Sequence, residues 1–226
     1  MNNNRVVVIT GASSGLGECL YKSFSKSHNV INISRSFSGS ENNIVIDLND
    51  LSGLKQNLKL KKFKHDLCIL NAATMGSVGP ACQITDEEFL EALKTNVLAN
   101  KIIIDWNISN GCKYFIGISS GAAIKNYDGW LNYCVTKSAF RSMLLQYQKD
   151  LPKLNFKLIS PGILSTGMNK KIRTLDVSVF PDMNKFHQKP ATDPQKASDL
   201  IYQKYRDYFR SGESEIDLRN EMEWRD

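Results

Sequence analysis

The chain has 226 residues, 42% of them apolar and 23% charged, with a formal net charge of +6 at neutral pH. That length suits one domain with a full core, and the composition is of the ordinary globular kind rather than disordered, fibrous or disulfide-stapled. The charge admits an anionic partner, but the lysines are scattered. Lys59, Lys61, Lys62 and Lys64 form the only dense run, which reads as a solvated helix end, so no nucleic-acid interface is expected.

Five cysteines (Cys19, Cys68, Cys82, Cys112 and Cys134) stand far apart with no Cys-x-x-Cys pair. Several fall in apolar runs, which predicts reduced core thiols and a cytoplasmic protein. His28, His65 and His187 are isolated, so no metal site is expected. The start, MNNNRVVVIT, lacks the pattern of a secretory signal. No apolar run approaches the ~20 residues that cross a bilayer, so no membrane partner is expected.

Arg5–Thr10 (RVVVIT) is a β-branched run suited to a strand buried on both faces of a parallel sheet. TGASSGLG, Thr10 to Gly17, follows at once, and then the helical stretch ECLYKSFSKS. Strand, glycine turn and helix together present backbone N–H groups and a helix N-terminus to a phosphate. Gly11 permits the tight turn, Gly15 lets the backbone approach a pyrophosphate, and Gly17 permits close helix packing. A dinucleotide is the expected ligand.

The next strand, NVINIS, ends in Ser34-Arg35-Ser36. An acid at that point would hold the ribose hydroxyls of NAD. Arg35 stands there instead, either as a plain surface arginine or as a partner for a 2′-phosphate, and NADP(H) is the expected cofactor. Asn43–Leu48 is a third strand closing on Asp47, and Leu51–Phe63 a helix with a basic outer face. Asp66–Asn71 is a fourth strand, followed by the small-residue turn Ala72-Ala73-Thr74, which leaves room for a ligand. TDEE at Thr85–Glu88 opens a helix with a capping box. Beyond it, Asn96 interrupts an apolar run as either a helix kink or a functional amide.

Cys112–Ser119 reads as a fifth strand and Asn155–Ser160 as a sixth, closed by Pro161-Gly162. From Ser165 to about Thr192 the chain is polar and irregular, as a lid or binding loop would be. Pro194–Arg210 is a helix with proline in its first turn, and Glu215–Leu218 a last short strand. Strands and helices alternate throughout without a break, which predicts one α/β domain over residues 1–226. Its expected core is a Rossmann-like, doubly wound, mainly parallel seven-stranded sheet with helices on both faces.

Between the fifth and sixth strands lies SSGAAIKNYDGWLNYCVTK, Ser119 to Lys137. Tyr133 and Lys137, four apart on a helix, share one face, and a strand end brings Ser120 to the same place. A lysine ammonium beside a phenol is expected to lower the tyrosine pKa from ~10 and make it a proton donor and acceptor near neutral pH. Alone, the Tyr-x-x-x-Lys spacing is a weak signal that reads first as a half-buried tyrosine beside a surface lysine.

The ordered set TGASSGLG, LNAA, TNV, SS…YCVTK and PGILST resembles the short-chain dehydrogenase/reductase family over nearly the whole chain. The resemblance implies catalytic roles for Ser120, Tyr133 and Lys137, with Asn96 completing a tetrad. It implies cofactor contacts from Thr10, Gly11, Ser13, Ser14, Gly15, Leu16 and Gly17. Arg35 would meet the NADP phosphate, Asp47 the adenine and Asn71 the adenosine-side ribose, with Leu48 and Ala72 also among the cofactor contacts. Pro161, Gly162 and Thr166 would surround the carboxamide. Ala73 departs from the family's usual glycine, and the common glycine-rich closing strand is missing.

Within the family, DGWLNYCVTKSAF and the tail FRSGESEIDL resemble sepiapterin reductases and benzil reductases. That likeness makes Trp130 and Asp217 candidate substrate residues, Asp217 being open also to reading as a surface aspartate. It implies an NADPH-dependent reduction of a ketone or dione, with a small-molecule carbonyl compound as partner. The helices around Asn96–Asn110 and Asn132–Asp150 are candidates to pair into a homodimer. A non-catalytic NADP(H)-binding regulatory protein on the same fold is the rival reading.

Overall fold

The β-branched run after Arg5 forms the interior strand β1 (Val6–Thr10) in the computed structural model, which describes residues 5–36, 43–60 and 64–221. Val7, Val8 and Ile9 are fully buried, as expected of a strand covered on both faces. Around it lie β2 (Asn29–Ser34), β3 (Ile44–Val45), β4 (Leu67–Leu70), β5 (Tyr114–Ile118), β6 (Asn155–Ser160) and β7 (Glu215–Asp217). They form one seven-stranded sheet in the order β3-β2-β1-β4-β5-β6-β7, and every pairing is parallel.

Alternation along β1 divides the core. Val8 joins Ile31, Ile33, Leu54, Ile103 and Phe140 on one face. Val7 and Ile9 join Leu20, Phe24, Ala197 and Ile201 on the other. Helices α2 (Leu51–Lys59), α3 (Asp86–Leu93), α4 (Ala99–Ser109) and α5 (Leu131–Asp150) supply or flank the first layer. The second takes α1 (Gly15–Ser25) and, past two short helices α6 (Gly167–Ile172) and α7 (Asn184–Gln188), the long α8 (Pro194–Arg210). Strand order reverses between β1 and β4, so their carboxyl ends open a crevice where such sheets bind ligands.

The boundaries differ from the sequence reading where the local signal was weak. The strand expected over Asn43–Leu48 is two residues long, because this is the sheet edge and Val45 faces solvent. The helix expected to reach Phe63 is helical through Lys59, and residues 61–63, with Lys61 and Lys62, lie outside the described residues. The capping box of Thr85 and Glu88 is present in both directions. The segment from Ser165 to Thr192 is not irregular but holds α6, a 3-10 turn (Pro181–Met183) and α7. Helices of five and six residues are too short to leave a readable apolar period. Its two ends meet at a parallel bridge between Leu164 and Thr192. The thiols also divide: Cys68, Cys112 and Cys134 are buried, whereas Cys82 is exposed.

Candidate active site

Side chains placed at the carboxyl end of β1 shape the glycine turn. Thr10 Oγ1 accepts from the backbone N–H groups of Asn71 and Ala72, both at 2.9 Å, tying β1 to the loop after β4. The Asn71 amide donates to the carbonyl oxygens of Thr10 (3.0 Å) and Gly11 (3.4 Å). From β2, buried Asn32 accepts from Ala12 N–H at 3.1 Å and donates to Ser34 Oγ. Gly11 has φ +72°, and a Cβ there would lie 2.9 Å from Ala72 Cα. A Cβ on Gly17 would lie 2.1 Å from Gly11 O. Ser13 and Ser14 are exposed at the head of α1, while Leu16 and Gly17 are buried. Across the cleft, the Thr166 methyl would be 3.2 Å from a Cβ on Gly15. The turn is therefore a cradle of bare backbone, a fit for a pyrophosphate at a helix N-terminus. Arg35 and Asp47 are exposed at the β2 and β3 ends of the same rim, and Leu48 is buried beneath it.

Asn96 sits at a break in helical regularity. Lys94–Leu98 is a π-helical turn between α3 and α4, and Asn96 lies in its middle, 2% exposed. Its Oδ1 accepts from Thr74 N–H, and its Nδ2 donates to Thr74 O and Thr136 Oγ1, all at 2.8 Å. One amide thus joins the loop after β4 to α5. Its backbone carbonyl accepts from Asn100 Nδ2 at 2.8 Å.

Tyr133 and Lys137 sit one turn apart on α5, both buried. Lys137 Nζ donates to Ile118 O at the end of β5 (2.8 Å) and lies 5.7 Å from the Tyr133 ring centroid. Ser120, just past β5, lies near enough to the Tyr133 phenol to favour its ionised form, and it caps the next turn by accepting from Ala122 N–H. The expected lowering of the phenol pKa does not occur in this arrangement. Burial dominates and pushes Tyr133 up to about 12, opposed by the nearby Ser120 hydroxyl. Burial likewise brings Lys137 down to about 8. The ammonium is aimed at a carbonyl, and the phenol's own desolvation outweighs it.

Trp130 packs edge-on against Tyr133 at 5.6 Å between centroids and tilts over Phe186 of α7 at 5.2 Å. It is buried, its Nε1 has no hydrogen-bond partner among the described residues, and it lines a cavity of about 330 Å³ with Tyr127 and Cys134. Ile172, Met183 and Phe186 complete an apolar wall against Tyr133. Asp128 and Asp182 fasten that wall reciprocally, each carboxylate accepting the other's N–H at 3.1 Å. Pro161 is buried and Gly162 exposed at the end of β6. Asp217, beside Ser160, is held by Arg219 rather than standing open, and that guanidinium depresses its carboxyl pKa. Asn32, Thr136 and Arg219 were not singled out in the sequence, and Thr74 only as part of a small-residue turn. Asn32 alone left a signal there, as a polar residue inside a buried strand.

Among the described residues, no three His, Cys, Asp or Glu side chains group as metal ligands, and no helix is long and apolar enough to cross a membrane. Residues 5–176 match the sequence family described as short chain dehydrogenase. A benzil reductase ((S)-benzoin forming) of Bacillus cereus is 28% identical over 214 residues, covering 80% of this chain and 84% of that protein. An NADPH-dependent pterin aldehyde reductase of Arabidopsis thaliana is 24% identical, covering 87% of each. The crystal structure of a short chain dehydrogenase/reductase from Saccharomyces cerevisiae superposes with a TM-score of 0.78 at 18% identity, covering 95% of this chain and 96% of that one.

Proposed function

This chain belongs to the short-chain dehydrogenase family, and from that premise we propose that it reduces a ketone or dione carbonyl to the alcohol using NADPH. The observation that carries this reading is the grouping of Ser120, Tyr133 and buried Lys137 at the end of β5, on the same carboxyl edge of the sheet as the bare-backbone cradle. When bound, NADPH supplies a hydride to the carbonyl carbon. Ser120 holds the carbonyl oxygen, and Tyr133 protonates it as charge develops. Lys137, with two N–H groups beyond the one given to Ile118, binds the nicotinamide ribose and keeps the proton supply charged. Asn96 acts by holding the loop after β4 against α5. Trp130 and the segment from Ser165 to Thr192 form the substrate side, and a homodimer through α4 and α5 fits the exposed Leu98 and Val135 there. The NADPH dependence of the Arabidopsis relative supports the cofactor choice, as does Arg35 in place of an acid at the end of β2. The reduced thiols suit a cytoplasmic setting.

An NADPH-oxidation screen across diketones, pterins, quinones and steroid ketones tests the reading. Binding of NADPH without turnover of any carbonyl would mark a cofactor-binding regulator instead. Arg35→Asp is expected to move the NADPH/NADH ratio of kcat/KM toward NADH by ~10- to 100-fold, the worth of a charge-assisted contact. An unchanged ratio would remove Arg35 from the phosphate.

The pH profile follows from the two shifts. Tyr133 keeps its proton up to about 12, so it does not limit reduction near neutrality. Lys137 is charged below about 8 and loses its proton as pH climbs past that value. Reduction kcat/KM is therefore expected to be level on the acid side of about 8 and to fall on the alkaline side. Activity holding level to pH ~10, the ordinary lysine range, would contradict this assignment.

A further inference from the structure

Reduction at Tyr133 needs a carbonyl oxygen at its phenol, yet the side chain is 8% exposed, with Trp130 packed edge-on against it. The indole is packed in turn against Phe186 of α7, 5.2 Å away between centroids. The segment that carries Phe186 is fixed at both ends. Ser165 N–H donates to Thr192 O and Thr192 N–H to Ile163 O, each at 2.8 Å. Its middle is fastened separately, where Asp128 and Asp182 each accept the other's N–H at 3.1 Å. Lys185 Nζ adds to that fastening, 3.4 Å from Asp182 Oδ1 and 3.7 Å from the Tyr127 ring centroid.

Two features count against a fixed wall. The Trp130 Nε1–H is buried without an acceptor among the described residues, a standing penalty on the indole where it lies. Beside it is room to move: the cavity of about 330 Å³ is lined by Trp130, Gly79, Gly129 and Cys134, and not by Ser120, Tyr133 or Lys137. A Cβ on Gly79 would meet nothing nearer than Ile84 Cδ1 at 3.8 Å.

We propose that Trp130 is a gate, whose indole swings into this cavity to uncover Tyr133. The Asp128–Asp182 clasp, by holding Phe186 against the indole, sets how often the gate opens. The inference rests on the reductase reading and deepens it, since the gate controls entry to and release from that same site. Among the described residues Asp182 has an ion pair and Asp128 has none. Repulsion between the two carboxylates therefore works against the two hydrogen bonds and leaves the clasp weak enough to part.

Solvent exchange of the Trp130 indole proton tests this, because the closed gate buries that proton. The three tryptophans give separate indole signals by NMR, and Trp130→Phe assigns the relevant one. Asp182→Ala removes one bond of the clasp and is expected to speed exchange ~5-fold or more, the worth of a hydrogen bond to a charged group discounted for exposure. Gly79→Leu fills the cavity and is expected to slow exchange by a similar factor. A wall that is merely structural would loosen in both. Exchange that stays within ~2-fold in either variant, or quickens in both, overturns the gate, since ~2-fold is below the worth of such a bond. Asp128→Ala removes the other carboxylate and carries the same expectation should Asp182→Ala fail to fold. Carbonyl turnover separates the two claims. Opposite shifts in exchange without reduction of any carbonyl would keep the gate and sink the reductase reading, and reduction with exchange unmoved would sink the gate alone.

Discussion

Replacing Tyr133 with phenylalanine is expected to cut NADPH-dependent carbonyl reduction ~100- to 10,000-fold, the range for losing a positioned general acid. The substitution is clean because the ring is held independently of its hydroxyl. Tyr133 is 8% exposed and packs edge-on against Trp130. Only the polar contact with Ser120 is lost, a net cost to folding of about 1 kcal/mol at most. Thermal unfolding should therefore shift by a few degrees at most, and NADPH binding should be nearly unchanged. Steady-state kinetics, a melting curve and a cofactor titration together check the expectation. A purified variant that folds, binds cofactor and keeps most of its turnover would remove Tyr133 from the chemistry.

Gly17→Ala should damage both stability and cofactor binding, against the usual sign of that exchange. Inside a helix, alanine is ordinarily the better residue by roughly 0.5–1 kcal/mol. Here the new Cβ would fall 2.1 Å from Gly11 O and 2.5 Å from Asn71 Nδ2. The first of these is backbone and cannot rotate aside. Either α1 lifts off the turn or the turn opens, and overpacking of this kind costs ~1–3 kcal/mol. At ~2–4 °C per kcal/mol for a chain of this size, the melting temperature should drop by about 2–12 °C. NADPH affinity should fall in step, because the displaced backbone is the cradle itself. A melting temperature at or above the parent value would show that the turn yields freely.

Much of the scaffold could be read from residue types alone. NVINIS and NFKLIS form β2 and β6 over the residues expected, and α8 begins at its proline and ends at Arg210 as expected. Continuous β-branched runs and a first-turn proline report local physics that the tertiary structure does not override. The shifts within the site were harder to see. Helical spacing placed Tyr133 and Lys137 on one face, but spacing says nothing about where an ammonium points. Burial reverses the sign expected for the phenol, while the Lys137 ammonium donates to the Ile118 carbonyl. Thr74 and Thr136 matter only because Asn96 reaches both, a meeting of three distant segments with no local mark. Arg219 was hidden for the same reason, since a tail residue gains meaning only once β7 is laid beside β6.

The π-helical turn at Lys94–Leu98 bears on how this protein could be altered. A wide turn carries one residue more than a regular helix needs, and by ordinary criteria deleting it would give a smoother and locally stronger α3–α4 rod. Each residue removed rotates everything on one side of the cut by ~100° about the axis. Asn96 would swing away from Thr74 and Thr136, stranding a buried amide and releasing the segment that follows β4. Helical regularity and fitness diverge at this point, so engineering that rewards secondary-structure propensity alone would select against the geometry the neighbouring loop depends on.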